Sequence, residues 1–146
     1  MKNPGRWAAW IFVPALLLSV AASAQEDRKK APEDARLYII SPANDATVKS
    51  PFTVRFGLSG MGIAPSGVAR EKTGHHHLLI DTDAREIDMS RPLPSSDKIR
   101  HFGDGQSEVK LELPPGKHTL LLVLADENHV PFDPPLLSEK ITITVR

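Results

Sequence analysis

Six histidines are the residues of this chain best suited to chemistry, because imidazole is the commonest transition-metal ligand among protein side chains. They occupy positions 75, 76, 77, 101, 118 and 129. Three are consecutive, and residues i and i+2 of a β-strand share one face, about 6.5 to 7 Å apart at Cα. His75 and His77 are therefore predicted to reach a common ion, while His76 faces the other way.

The elements that carry these histidines follow the pattern of an all-β domain. Apolar and polar residues alternate in several short runs, whereas residues 77–80 and 119–125 lack alternation and are predicted as central strands buried on both faces. Strands are predicted at residues 37–41, 46–49, 52–58, 75–81, 107–113, 118–125 and 138–145. About seven strands separated by Pro- and Gly-rich turns indicate an immunoglobulin-like antiparallel β-sandwich. The long connection at residues 82–106 predicts either a hidden short strand D or a functional loop.

This sandwich brings most of the histidines to one end. The loop after strand 118–125 would place His129 beside His75 and His77, and His101 would reach across from the facing sheet. These four residues are the predicted metal ligands. The alternative is that the consecutive histidines form a polar strand entrance and that the loop histidines are exposed without any ligand.

His118 is predicted to stand apart from this group. It begins its strand at the opposite end, about 26 Å from Asp126 at 3.3 Å per residue. The preceding Pro-Gly turn resembles the corner at which many sandwich domains place a Tyr that bonds back to the turn. We therefore expect His118 to be structural.

An imidazole-rich set favours copper or zinc over calcium or magnesium. Met61 and Met89 could shift the preference toward Cu(I), although packing in a loop or core is the more ordinary role of methionine. Ions bind neutral imidazole, so affinity is expected to fall as the pH drops through about 6.5.

Composition excludes several other functions. The chain contains 18 Lys and Arg against 18 Asp and Glu, which leaves no basic footprint for nucleic acid. It has no cysteine, so disulfides, thiolate metal sites, a Cys nucleophile and a lipid-attachment Cys are all absent. No nucleophile–base pair is recognisable, and we expect no enzyme; an enzyme would use the histidine site with Asp126 as base.

The first 24 residues read as a secretory signal peptide. Lys2 and Arg6 precede an apolar stretch that ends in the small residues Ala22-Ser23-Ala24. A retained membrane anchor is the alternative, because residues 7–24 are long enough to span a bilayer. With cleavage after Ala24, residues 25–36 would be a charged flexible lead-in and 37–146 the β-sandwich domain.

Four stretches give the chain a family resemblance. They are residues 74–81 (GHHHLLID), 101–106 (HFGDGQ), 113–120 (LPPGKHTL) and 125–129 (ADENH). Over about residues 37–146 the chain resembles the exported bacterial proteins described as domain of unknown function 4399. The resemblance implies a periplasmic β-sandwich, carries no established activity, and maps the family's histidines onto all six of this chain.

Two functions are therefore predicted. The first is a periplasmic binding module that holds copper or zinc through His75, His77, His101 and His129. The second is a metal-free cell-envelope domain that contacts protein or glycan through sheet edges or the 82–106 connection. In either case we expect a monomer without a stable membrane anchor after signal cleavage.

Overall fold

A computed structural model describes residues 28–146. The predicted signal peptide, residues 1–24, lies outside the described residues. The described part is an all-β sandwich of two sheets, which confirms the predicted fold class. Its helical content is one 3-10 turn at Ala84–Glu86, and within residues 28–146 no helix is long and apolar enough to cross a membrane.

Nine strands build the two sheets. In chain order they are β1 (Arg36–Ser41), β2 (Thr47–Val48), β3 (Phe52–Ser59), β4 (Gly62–Ile63), β5 (Thr73–Ile80), β6 (Ile99–His101), β7 (Glu108–Leu111), β8 (Gly116–Ala125) and β9 (Ile141–Val145). The smaller sheet has the order β1-β3-β7. The larger sheet has the order β2-β9-β8-β5-β4, and β6 pairs with the edge of β5. Most pairs are antiparallel, but the two-residue strands β2 and β4 pair in parallel with β9 and β5.

Two hydrophobic cores lie on the two faces of the larger sheet. The core between the sheets contains Leu78, Leu122 and Leu124 of the larger sheet together with Val54 and Phe56 of β3. The second core lies on the outer face of the larger sheet, where loops cover it; its buried members are Leu79, Leu93, Ile99, Leu121, Val123 and Ala125. Strands β5 and β8 are therefore buried on both faces, as their unbroken apolar pattern predicts.

The 82–106 connection contains the short strand β6, but this strand does not join the sheet expected for strand D. Strand D of an immunoglobulin domain belongs to the sheet of strands A, B and E. Here β6 pairs antiparallel with β5 of the larger sheet, with His101 opposite His77. The edge of β5 otherwise offers unpaired backbone groups, and β6 satisfies them. Within this connection, Ile99 of β6 and Leu93 of the preceding loop belong to the second core.

The described part of the predicted flexible lead-in lies against the domain. The Arg28 guanidinium donates to the Met89 carbonyl at 2.8 Å, and the Asp133 amide donates to the Lys29 carbonyl at 2.8 Å. Lys29 also pairs with the carboxylate of Glu127. The sequence pattern does not predict these contacts, because a run of charged residues without large apolar side chains contains no signal of docking.

Candidate metal centre

The alternation of β5 separates the three consecutive histidines. His75 and His77 point to the outer face of the larger sheet, where their ring centroids are 4.6 Å apart. His76 points into the sandwich and packs on Phe56, with 5.0 Å between the two ring centroids. All three side chains are at most 1% exposed, because the neighbouring strands and the covering loops exclude solvent from both faces.

A tight turn at residues 126–130 brings His129 over the outer face. The Asp126 carboxylate accepts hydrogen bonds from the backbone amides of Asn128 at 2.9 Å and Val130 at 3.0 Å. His129 adopts a left-handed φ of 64°, a conformation in which His is found more often than most residues. The Leu93 amide donates to the His129 carbonyl at 2.9 Å, so the turn is also fixed to the loop that covers the sheet.

Three ring nitrogens converge at this point. Nε2 of His75 lies 3.0 Å and Nε2 of His77 lies 3.2 Å from Nδ1 of His129. All three ligand atoms lie within 4.8 Å of one another. Two nitrogens that bind one ion at 2.0 to 2.1 Å in a tetrahedral arrangement would be about 3.3 Å apart. The spacing of the His129 contacts is therefore close to that of a tetrahedral metal site.

Hydrogen bonding alone cannot satisfy this arrangement. A neutral imidazole offers one N–H donor and one lone pair, so Nδ1 of His129 can pair well with only one of the two Nε2 atoms that face it. Within residues 28–146, Nδ1 of His75 and Nδ1 of His77 are also buried without a hydrogen-bond partner. A cation held by the three lone pairs satisfies the converging nitrogens, so the residues present fit a metal ion.

His101 flanks the three converging nitrogens but is not one of them. Its ring centroid is 4.4 Å from that of His77 and 4.7 Å from that of His129, while its Nε2 atom pairs with the Pro94 carbonyl at 3.1 Å. The expectation that His101 reaches across from the facing sheet is wrong. It comes from β6, which lies beside β5 in the same sheet.

Burial keeps the converging imidazoles neutral. Burial, followed by the neighbouring His129 and His101, lowers the pKa of His75 to about 4. Burial and then His75 lower the pKa of His77 to about 2. The pKa of His129 is also lowered, by burial and by His101, with Asp126 acting in the opposite direction. Protons compete with a metal ion for these ring nitrogens only below their pKa. The loss of metal affinity that the sequence predicts near pH 6.5 is therefore expected at lower pH.

The other two histidines lie outside the centre. His76 is buried in the core, where its Nδ1 pairs with the Gln106 carbonyl at 3.3 Å and burial lowers its pKa to about 4. His118 lies at the far end of β8, and its ring bonds back to the Pro114 carbonyl at 2.8 Å, as predicted for a structural histidine. Its other nitrogen faces the Asp81 carboxylate at 2.7 Å.

The remaining candidates have structural surroundings. Met61 packs against the core between the sheets, and Met89 packs against the second core. Asp126, the base considered for an enzyme, uses one carboxylate oxygen to accept two backbone amides of its own turn.

Comparison with known proteins identifies the family. The model of the family described as "Domain of unknown function (DUF4399)" matches residues 54–146, which is more than half of the chain and includes all six histidines. The chain belongs to this family. The DUF4399 match confirms the resemblance seen in the sequence and brings no activity with it. No curated protein matches the chain.

One solved structure with a similar backbone is the X-ray structure of the endo-beta-1,4-mannanase from Thermotoga petrophila. The TM-score is 0.46 at 15% sequence identity. The alignment covers 77% of this DUF4399 chain and 20% of the mannanase chain, so the similarity spans about a fifth of that enzyme.

Proposed function

We propose that this domain binds a transition-metal ion, copper or zinc, through His75, His77 and His129. The supporting observation is the convergence of their three ring nitrogens. Nε2 of His75 lies 3.0 Å and Nε2 of His77 lies 3.2 Å from Nδ1 of His129. Neutral nitrogen donors suit copper and zinc, whereas calcium and magnesium require oxygen ligands. Three protein ligands leave a fourth position of a tetrahedral ion for His101 or for an outside ligand.

We further propose that the domain acts in the periplasm as a binding protein rather than an enzyme. The signal-like character of residues 1–24 supports export. A site built from histidine and not from cysteine also suits an oxidising compartment, because imidazole, unlike a thiol, is not oxidised to a disulfide there.

Metal titration tests this function. The domain is stripped with a chelator, titrated separately with Zn²⁺ and Cu²⁺ at pH 7.5, and analysed by calorimetry and by metal content after gel filtration. We expect one ion per chain for the wild type. The His75→Ala/His77→Ala double variant should lose binding by at least about a hundredfold, since two of three ligands are absent.

A second variant separates ligand loss from misfolding. His129→Gly removes a ligand at a left-handed position that Gly adopts without strain, so its fold should be retained while its metal binding is lost. His118→Gln is the matched control, because it changes a histidine remote from the centre and should bind metal like the wild type. Equal metal content in the wild type, the double variant and His129→Gly would refute the proposal.

The contribution of His101 is measured in the same series. If His101 supplies the fourth ligand, His101→Ala should weaken binding by about tenfold or more. If an outside ligand fills that position, His101→Ala should bind with nearly unchanged affinity, and the affinity should instead depend on the buffer anion.

The second candidate function is an envelope domain that contacts protein or glycan. The observation in its favour is the exposure of two large apolar side chains on the edge strand β1, Tyr38 at 46% and Ile40 at 57%. Exposed aromatic side chains on a sheet suit both kinds of partner. In this case a Tyr38→Ser/Ile40→Ser variant would lose partner capture, and the His75→Ala/His77→Ala variant would keep it.

A further inference from the structure

A second concave site lies beside the start of β5. It has a volume of about 530 Å³, within the usual range for small-molecule pockets. We call it the basic pocket; its lining residues are Lys29, Lys30, Ala69, Arg70, Glu71, Lys72, Thr73 and Phe132. The lead-in, the segment before β5 and the segment after β8 each contribute to it.

The basic pocket carries a net positive charge. Four cationic side chains line it against the single carboxylate of Glu71. Residues 28–146 contain 16 Lys and Arg and 16 Asp and Glu, so the positive charge of this pocket is a local concentration on a neutral domain. Clustered cations repel one another, and such clusters raise the local concentration of anions.

Most of these cations are available to a ligand. Lys29 forms an ion pair with Glu127. Among the described residues, no carboxylate lies within 4.0 Å of the charged groups of Lys30, Arg70 or Lys72. An oxyanion in the pocket would therefore lie beside three cationic side chains that no carboxylate of the described residues pairs with.

The turn that carries two of these cations is held in an unusual conformation. The Thr73 hydroxyl donates to the Arg70 carbonyl at 2.8 Å and closes the turn. Lys72 has a left-handed φ of 55°, at a turn position where Gly or Asn is usual. The backbone of a lysine at such a position is strained, and strained backbone conformations are concentrated at functional sites.

We propose that the basic pocket binds a small anionic molecule that carries phosphate or carboxylate groups. The Arg70 guanidinium matches the planar geometry of both groups with paired N–H donors, and Lys30 and Lys72 add charge. Ala69 and the small exposed part of Phe132 contribute apolar surface to the lining. The volume exceeds that of a single phosphate ion, which favours a ligand with several oxyanion groups or with an apolar part.

Calorimetry with two probes tests this site on the domain purified without added metal. Pyrophosphate represents phosphate groups and citrate represents carboxylates, each titrated at low and at physiological ionic strength. We expect saturable binding of at least one probe with one site per chain, and weaker binding at high salt. Binding of one probe only would identify the group that the pocket prefers.

Three variants give the test its controls. Arg70→Gln/Lys72→Gln should weaken binding by about tenfold or more, because charged hydrogen bonds to the ligand are lost. Lys110→Gln/Lys117→Gln removes two exposed positive charges outside the pocket and should bind like the wild type. Lys72→Gly should bind the anion more weakly while the protein is as stable as the wild type or more so.

The proposal is overturned if neither probe binds saturably at low ionic strength. It is also overturned if the two double variants bind equally, since the anion would then respond to overall charge and not to this pocket. Pyrophosphate and citrate also chelate copper and zinc, so the domain is first stripped of metal with a chelator and freed of the chelator by gel filtration. The outcomes are then independent of metal binding, because no residue of the basic pocket belongs to the converging histidines.

Discussion

His75 and His77 occupy strand positions at which an aliphatic residue would be more favourable for folding alone. Their neighbour on the same face, Leu79, is fully buried in the second core. Each histidine instead buries a ring nitrogen, Nδ1, without a hydrogen-bond partner among residues 28–146. A buried polar group left unpaired costs about 1 to 3 kcal/mol. The two rings therefore lower the stability of the metal-free domain at the place where they form the candidate centre.

Replacing both rings by leucine should increase stability and remove metal binding. We expect His75→Leu/His77→Leu to raise the metal-free free energy of unfolding by about 1 to 3 kcal/mol, because leucine is of similar size and needs no hydrogen bond. Urea unfolding in the presence of a chelator measures the change. A clear loss of stability would show that the rings support the fold and would contradict this account of their cost.

His118 should stabilise the fold more at low pH than at high pH. Burial lowers its pKa, but the hydrogen bonds to Asp81 and the Pro114 carbonyl and the charge of Asp81 outweigh burial, so the pKa of His118 lies above 6.5. Both partners are acceptors, and only the protonated ring can donate to both. Its contribution is therefore complete below the unfolded pKa of about 6.5 and is lost as the pH rises through the folded pKa.

The difference in unfolding free energy between the wild type and His118→Gln measures this effect. We expect a larger difference at pH 5.5 than at pH 8.5. Lys117→Gln is the control for a neighbouring charge, and its difference should be nearly independent of pH. A His118→Gln difference that grows toward pH 8.5 would reverse the sign of the argument.

At the scale of elements, the register of β5 on β8 positions the candidate centre. His75 lies opposite Ala125 and His77 lies opposite Val123, so the end of β8 and the turn that follows it lie beside both rings. Gly74 makes the close approach possible, because a Cβ atom at this position would lie 2.6 Å from the Ala125 carbonyl oxygen. The backbone contact at Gly74 thus sets the distance between the strand and the turn that carries His129.

Gly74→Ala should destabilise the domain and weaken metal binding together. Relief of the clash must move backbone and not a flexible side chain, which costs about 1 to 3 kcal/mol. Gly62→Ala is the matched control, since its added Cβ would meet the nearest atom, in the Thr73 side chain, at 3.4 Å. Urea unfolding and metal titration of both variants check the prediction, which fails if the two variants behave alike.

The strands with a clear pattern were predictable; of the short ones, β2 falls within the strand predicted at residues 46–49, whereas β4 and β6 were not predicted. Alternation in β3 and unbroken apolar residues in β8 match their one-sided and two-sided burial. A strand of two or three residues, such as β4 or β6, shows no period, so its pairing depends on the partner edge that is free. For that reason the sequence predicts only a connection around His101, and it does not show which sheet β6 joins. The basic pocket was missed because its cations are distributed over separate segments.

At the scale of the whole molecule, three buried histidines couple folding to pH. His75, His76 and His77 are held neutral, with pKa values of about 4, 4 and 2. The unfolded chain protonates each ring near pH 6.5 and the folded chain does so only at lower pH. Stability is therefore lost as the pH falls below 6.5, by up to about 1.4 kcal/mol per pH unit for each ring.

Urea midpoints of the metal-free domain between pH 7.5 and 4.5 should show this loss. We expect a steep decline below pH 6.5 for the wild type and a shallower one for His75→Leu/His77→Leu, which keeps only one of the three rings. Parallel curves for the two proteins would mean that other groups dominate the acid response. His118 contributes in the opposite direction and is present in both proteins, so it does not affect their comparison.

The separation of His75 and His129 by 54 positions along the chain has one more consequence. A chain without cysteine cannot use a disulfide to restrict the unfolded state. An ion bound by both His75 and His129 would act as a reversible cross-link. A permanent cross-link that closes a loop of that length stabilises the folded state by about 4 kcal/mol, because it lowers the entropy of the unfolded chain. Binding of the ion would then hold the turn that follows β8 against β5, and loss of the ion would release this restraint.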